Sequence, residues 1–152
     1  MTDQALDQRV LTLTRLFAAP RAMVFNAFLD PVPMLRWLGP PHYPATFFET
    51  DPRVGGRWRA CLTGKEHGDK VWQSGVYREI SPPERLVYTF GWDQADGTRT
   101  QDTVITVTFA DHDGKTLMTF TQAAFATSDA CENHRMGWNG SFDRLEALAV
   151  QA

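Results

Sequence analysis

From Ser128 onward the hydrophobic residues of this chain change period. Trp138, Phe142, Leu145 and Ala149 recur at spacings of 4, 3 and 4, and Cys131 and Arg135 extend the row toward its start. That is the repeat of one face of a helix. Ser128 or Asp129 can cap it, and the pattern predicts a helix running to about Val150. Most of the chain before it, from Tyr43 on, is written instead in short alternating segments. A sheet made of such segments has an apolar face that must be covered, and the tail is the only predicted element long enough to cover it. The chain is therefore constrained to an α+β fold in which an antiparallel sheet wraps a long C-terminal helix.

The remaining punctuation fits that frame. Val10–Phe17 alternates as a first strand, with Leu11, Leu13 and Phe17 on one side. Pro20 opens a short helix bearing Val24, Phe25, Phe28 and Leu29, which Asp30-Pro31 stops. Pro33–Leu38 reads as a second short helix, ended by Gly39-Pro40-Pro41. Six strands follow, at Tyr43–Asp51, Arg57–Leu62, Lys70–Ile80, Leu86–Trp92, Thr103–Phe109 and Lys115–Gln122. Gly- and Asp-rich turns separate most of them, and Ser81-Pro82-Pro83 closes the longest.

A length of 152 residues suits one domain, expected to span the chain with an ordered core from about Val10 to Val150. The formal net charge is −3, without a run of Lys and Arg, which argues against a nucleic-acid surface. No apolar run is long enough to insert through a membrane, and Met1–Arg9 is polar and acidic, unlike a signal peptide. A cytoplasmic location is the expectation. Cys61 and Cys131 are far apart and lack a CxxC partner, so they read as buried thiols. The four histidines show no metal-ligand spacing and no phosphate-loop or dinucleotide motif occurs; no metal and no cofactor are expected. The edge strands allow either a monomer or a homodimer.

Five stretches in order carry a family resemblance. They are Arg15-Leu16-Phe17-Ala18-Ala19-Pro20 leading into Val24-Phe25; Asp30-Pro31 through Trp37-Leu38-Gly39-Pro40; Gly55-Gly56-Arg57-Trp58; Gly75-Val76-Tyr77-Arg78-Glu79-Ile80 with Pro82-Pro83-Glu84-Arg85-Leu86; and Gly137-Trp138 through Leu145. Together they cover nearly the whole chain, and the chain resembles the START-like, or SRPBCC, superfamily. Within it, the chain is similar to the branch named for homologues of the activator of the heat-shock protein 90 ATPase. The resemblance implies a helix-grip fold: a curved, seven-stranded sheet around the last helix, with a cavity between them and the second short helix, carrying Trp37, at its mouth. It implies no shared catalytic triad, and fold alone constrains function loosely.

Five tryptophans and an aromatic content of 12% are high for this length. Such rings can be plain core, or they can wall a cavity while offering polar tips to a ligand. As a ligand lining, the candidates are Trp37, Trp58, Trp72, Tyr77, Tyr88, Phe90, Phe120, Trp138 and Phe142. Gly137 and Gly140, inside the predicted tail helix, serve either close helix–sheet packing or room for a ligand beside Trp138. No catalytic constellation is identifiable. Two weak candidates remain: Glu79, which alternation places on the face of Tyr77, and His134, four residues before Trp138.

The leading expectation is a non-enzymatic binding domain for a small apolar or aromatic molecule. One alternative is an enzyme of the cyclase, aromatase or hydrolase kind using Glu79 or His134. The other is a chaperone-regulator-like interaction module using the outer surface, which predicts a sizeable exposed apolar patch.

Overall fold

The computed structural model describes residues 6–150, so the first five residues of the acidic N-terminal stretch lie outside the described residues. After a 3-10 turn at Leu6–Arg9 come β1 (Leu11–Phe17), α1 (Arg21–Ala27) and α2 (Pro31–Trp37). Strands β2 (Ala45–Thr50), β3 (Arg57–Thr63), β4 (Lys70–Ser81), β5 (Arg85–Trp92), β6 (Thr103–His112) and β7 (Lys115–Ala123) follow, and α3 spans Ser128–Val150. The seven strands form one antiparallel sheet in the order β1-β7-β6-β5-β4-β3-β2. Only β1 departs from a plain meander, crossing to pair with β7.

Local chemistry explains most boundaries. The side chain of Asp30 accepts a hydrogen bond from the Val32 amide at 2.9 Å and Pro31 occupies the first turn. The residues that stop α1 therefore also start α2, two residues earlier than the sequence pattern places it. Asp113 and Gly114, both with positive φ, make the two-residue turn between β6 and β7. That turn geometry matches the twist of the strands, so β6 runs on to His112, past the Phe109 end that its alternation predicts.

The core lies between the inner face of the sheet and α3. The face presents Trp58, Ala60, Tyr77, Leu86, Tyr88, Phe90, Ile105, Val107, Met118 and Phe120, all buried. From α3 the buried residues are Cys131, Trp138, Ser141, Phe142, Leu145 and Ala149; Arg135 is only half-buried and pairs with Glu132 at 3.3 Å. Phe142 is wholly buried, its ring 5.2 Å from Phe120, 5.6 Å from Trp138 and 6.1 Å from Trp37. Arg15 of β1 ties the outer edge of α3 through Asp143 at 2.6 Å.

One side chain of α3 organises the connection between α2 and β2. Arg144 donates to the carbonyls of Arg36, Leu38 and Gly39 at 2.8, 3.0 and 2.8 Å, satisfying carbonyls that the end of a helix leaves unpaired. Gly39 has φ of 90°, and a Cβ there would sit 2.2 Å from the Tyr43 carbonyl oxygen. The Gly39-Pro40 segment is thereby held against α3.

Phe142→Ala is expected to lower stability by about 3–5 kcal/mol, the usual cost of emptying a phenylalanine site in a packed core; chemical denaturation followed by far-UV circular dichroism measures it.

Candidate functional site

The sheet is broader than one helix can cover, and α3 fills its inner face unevenly. Around Phe142 and Leu145 the gap is closed by side chains. Around Gly137 it is not. A cavity of about 440 Å³ lies there, open to solvent on one side. Phe90, Trp92 and Trp138 form its aromatic wall, and Leu62, Val71 and Ala130 add aliphatic surface. Gly39, Pro40 and Tyr43 form the lip, and Gln73, Asn133, His134 and Ser141 supply polar groups.

The two glycines of α3 divide the roles that the sequence left open. A Cβ on Gly140 would approach the Pro40 Cβ to 3.0 Å, so Gly140 serves close packing against the lip. A Cβ on Gly137 would meet no atom within 4 Å. Its missing side chain is cavity volume.

Trp138 is anchored from behind. Its indole N–H donates to Gln122 Oε1 at 2.8 Å, Gln122 Nε2 donates to Thr103 Oγ1 at 2.9 Å, and Thr103 donates to the Phe90 carbonyl at 3.3 Å. Gln122 is fully buried and both ends of its amide are satisfied. Gln73, the other buried glutamine of the inner face, differs: its Oε1 has no partner. Two other polar groups of the lining are engaged. Ser141 donates to the Gly137 carbonyl at 3.1 Å, and the Tyr43 hydroxyl donates to Asp69.

His134 stands at the inner end, with its ring 4.7 Å from Phe125, 5.4 Å from Phe90 and 5.7 Å from Trp92. Its Nε2 accepts from the Trp92 indole at 3.0 Å, which places the proton of the neutral ring on Nδ1. Burial among uncharged rings pushes its pKa down to about 4. The same ring also borders a second space of about 140 Å³ beside Phe125 and Thr103.

Of the nine aromatic candidates, Phe90 and Trp138 line this cavity and the others do not. Trp37 is wholly buried with its indole on the Ala27 carbonyl at 2.8 Å and its ring 4.9 Å from Phe28, so it belongs to the core and not to the mouth. Trp58, Tyr77 and Tyr88 cluster under β2: the Trp58 indole donates to the Thr89 carbonyl at 3.1 Å, and the hydroxyls of Tyr77 and Thr50 are 2.6 Å apart. Desolvation pushes the Tyr77 phenol up to about 12 and raises that of Tyr88 as well. Phe120 and Phe142 are core under α3. Trp72 occupies the opposite face of the sheet, where Arg59 lies 4.0 Å over its ring, a cation–π contact.

Glu79 also lies outside the cavity. A bulge between Tyr77 and Glu79 inserts one residue into β4 opposite β5 and breaks the alternation. Glu79 consequently faces outward, its side chain 41% exposed and paired with Arg85 at 3.1 Å. Missed from the sequence were Trp92 as a wall and Gln73, Val71 and Leu62 as its continuation. The signal for Gln73 was a lone amide on the Val71–Gln73–Gly75–Tyr77 row of β4, the face later shown to be inner. Among the described residues, no group of three or more His, Cys, Asp and Glu could hold a metal ion, and no helix is long and apolar enough to cross a membrane.

A curved seven-stranded antiparallel sheet gripping a C-terminal helix, with two short helices after the first strand, is the START-like helix-grip fold, a general ligand-binding type of domain. The chain belongs to the family described as activator of Hsp90 ATPase homolog 1-like proteins, which matches residues 18–149. It is similar to a crystal structure of a protein from Chromobacterium violaceum, 30% identical with a TM-score of 0.84, covering 93% of this chain and 97% of that one. It is likewise similar to one from Mycobacterium smegmatis, 27% identical with a TM-score of 0.79, covering 95% and 92%. A protein of this family from Silicibacter pomeroyi shares the fold at 24% identity and a TM-score of 0.83, covering 94% and 99%. No curated protein matches the sequence.

Two outcomes are expected from this geometry. Gly137→Ala raises stability by up to about 1 kcal/mol, because alanine suits a helix better and meets nothing there; Gly140→Ala gains less or loses, through Pro40. Paired thermal melts distinguish them. The neutral His134 is protonated more readily unfolded, near pH 6.5, than folded. Stability therefore falls as pH drops from about 6.5 toward 4, by on the order of 2 kcal/mol from this residue. Urea titrations across that window check this, and His134→Gln is expected to flatten the slope.

Proposed function

We propose that the protein binds a small apolar or aromatic molecule in the cavity between the sheet and α3, as a carrier or sensor and not as a catalyst. The observation that carries this reading is the space of about 440 Å³ beside Gly137, walled by Phe90, Trp92 and Trp138 and left unfilled by the protein's own side chains. Its size falls within the range of small-molecule sites, and its lining has their usual composition of apolar surface with a few polar groups.

Acid–base chemistry at the site has weaker support. Glu79 is on the far face, and the lone pair of His134 that could take a proton is already committed to Trp92. With a pKa near 4, that imidazole is also a poor base at neutral pH.

The family description names a chaperone ATPase activator, and one surface feature favours an interaction reading as the second choice. A groove of about 310 Å³ runs between α1, α2 and the end of α3, bordered by the exposed Met23 and Val32.

Titration with N-phenyl-1-naphthylamine, an uncharged fluorescent probe, tests the first reading. Saturable quenching of tryptophan emission with one-site stoichiometry is expected, since two of the five tryptophans lie in the wall. Gly137→Leu should abolish binding by filling the space while leaving the fold intact by circular dichroism. An unsaturable response, or a Gly137→Leu protein that binds unchanged, rules the cavity out and brings the α1–α2–α3 groove forward.

A further inference from the structure

Every polar group buried in a folded protein normally finds a partner, because leaving one unpaired costs its full desolvation. Among the described residues, two buried side-chain atoms have none: Arg9 Nε, which is beside the Phe125 carbonyl and is not part of the cavity lining, and Gln73 Oε1. Gln73 is 4% exposed, sits on the inner face of β4 opposite Trp92 of β5, and lines the cavity. Gln122, the other buried glutamine of the same face, is satisfied at both ends of its amide. The fold therefore has the means to saturate a glutamine on this face, and at Gln73 it does not.

The charge of the lining adds a second constraint. None of its residues is Asp, Glu, Lys or Arg, and His134 is neutral at pH 7. Of the charged groups beside the lip, Asp69 is engaged by the Tyr43 hydroxyl and Arg144 by the carbonyls of Arg36, Leu38 and Gly39, and neither is part of the lining. An ion entering here would shed water and meet no counter-charge, which is strongly unfavourable.

Building on the cavity reading above, we infer that the ligand is an uncharged, hydroxyl-bearing aromatic molecule whose hydroxyl pairs with the amide of Gln73 while its ring lies against Phe90, Trp92 and Trp138. A hydroxyl both donates and accepts. As it stands Gln73 Oε1 is closed off from solvent, but the last torsion of a glutamine is soft; pairing with the ligand asks that torsion to turn, and a hydroxyl answers whichever end of the amide it meets. A hydrocarbon leaves Gln73 as it is, and a carboxylate brings a charge that the lining does not neutralise.

The test compares naphthalene, 1-naphthol and 1-naphthoate at pH 7, by tryptophan quenching and calorimetry, on the wild-type protein and on Gln73→Met. The wild type is expected to bind 1-naphthol about tenfold more tightly than naphthalene, the worth of one added hydrogen bond, and 1-naphthoate at least about 100-fold more weakly than 1-naphthol. Gln73→Met should lose the preference for the hydroxyl, its ratio of 1-naphthol to naphthalene affinity falling toward one. If naphthalene binds but 1-naphthol gains nothing, or if Gln73→Met keeps the gain, the Gln73 pairing is overturned while the cavity reading stands. Tight binding of 1-naphthoate overturns the requirement for an uncharged ligand. If none of the three binds the wild type, the cavity reading itself fails and takes this inference with it. Because the comparison among ligands is made on the wild-type protein, a poorly folded Gln73→Met would not remove the test.

Discussion

A single straight helix cannot cover a curved sheet seven strands wide, and the rest of this structure follows from where that deficit falls. Toward its C-terminal end α3 carries Phe142, Leu145 and Ala149, and Phe25 of α1, Phe28 just after it, and Met34 and Trp37 of α2 close the space. Toward its N-terminal half the same helix presents Ala130, Gly137 and the half-buried His134 to the sheet. The hydrophobic effect rewards burial of any apolar surface, and His134 packs on Phe90 and Trp92, but Ala130 and Gly137 offer too little side chain to close the space beside them. The cavity is the part of the helix–sheet interface that the sequence declines to fill.

Polar contacts keep that gap from collapsing. The chain from Trp138 through Gln122 and Thr103 to the Phe90 carbonyl fixes an indole in the wall. On the opposite side, the three carbonyls gathered by Arg144 hold the Gly39-Pro40 lip against Gly140. A fully paired polar network of this kind resists rearrangement because every broken link leaves a buried group unsatisfied. Against that background the unpaired amide of Gln73 stands out, since neighbouring positions show how readily the fold completes such bonds.

The architecture was legible because it is written in periods. Alternation together with the turn residues between segments marked the seven strands, and the 4-3-4 spacing of Trp138, Phe142, Leu145 and Ala149 marked the gripping helix; the five ordered stretches from Arg15 to Leu145 marked the family. The site was legible only in part. Phe90 and Trp138 line the cavity, and Gly137 had been noted as a place where space could be kept. Trp37, Trp58, Phe120 and Phe142 carry the same local signature as those two, and they are core. Periodicity reports which face a residue occupies, and both core and cavity wall occupy the inner one.

What this sequence determined by itself, then, is the set of elements, their order and the family, because these rest on local propensity and on repeats that persist over many residues. Tertiary structure alone decided which inner-face residues touch protein and which touch empty space, since that depends on the shape of whatever lies across the gap. It also decided the face of Glu79, because one extra residue in β4, with no mark in the local pattern, turns the side chain from the helix toward solvent. A period of two carries direction only while the ladder is unbroken.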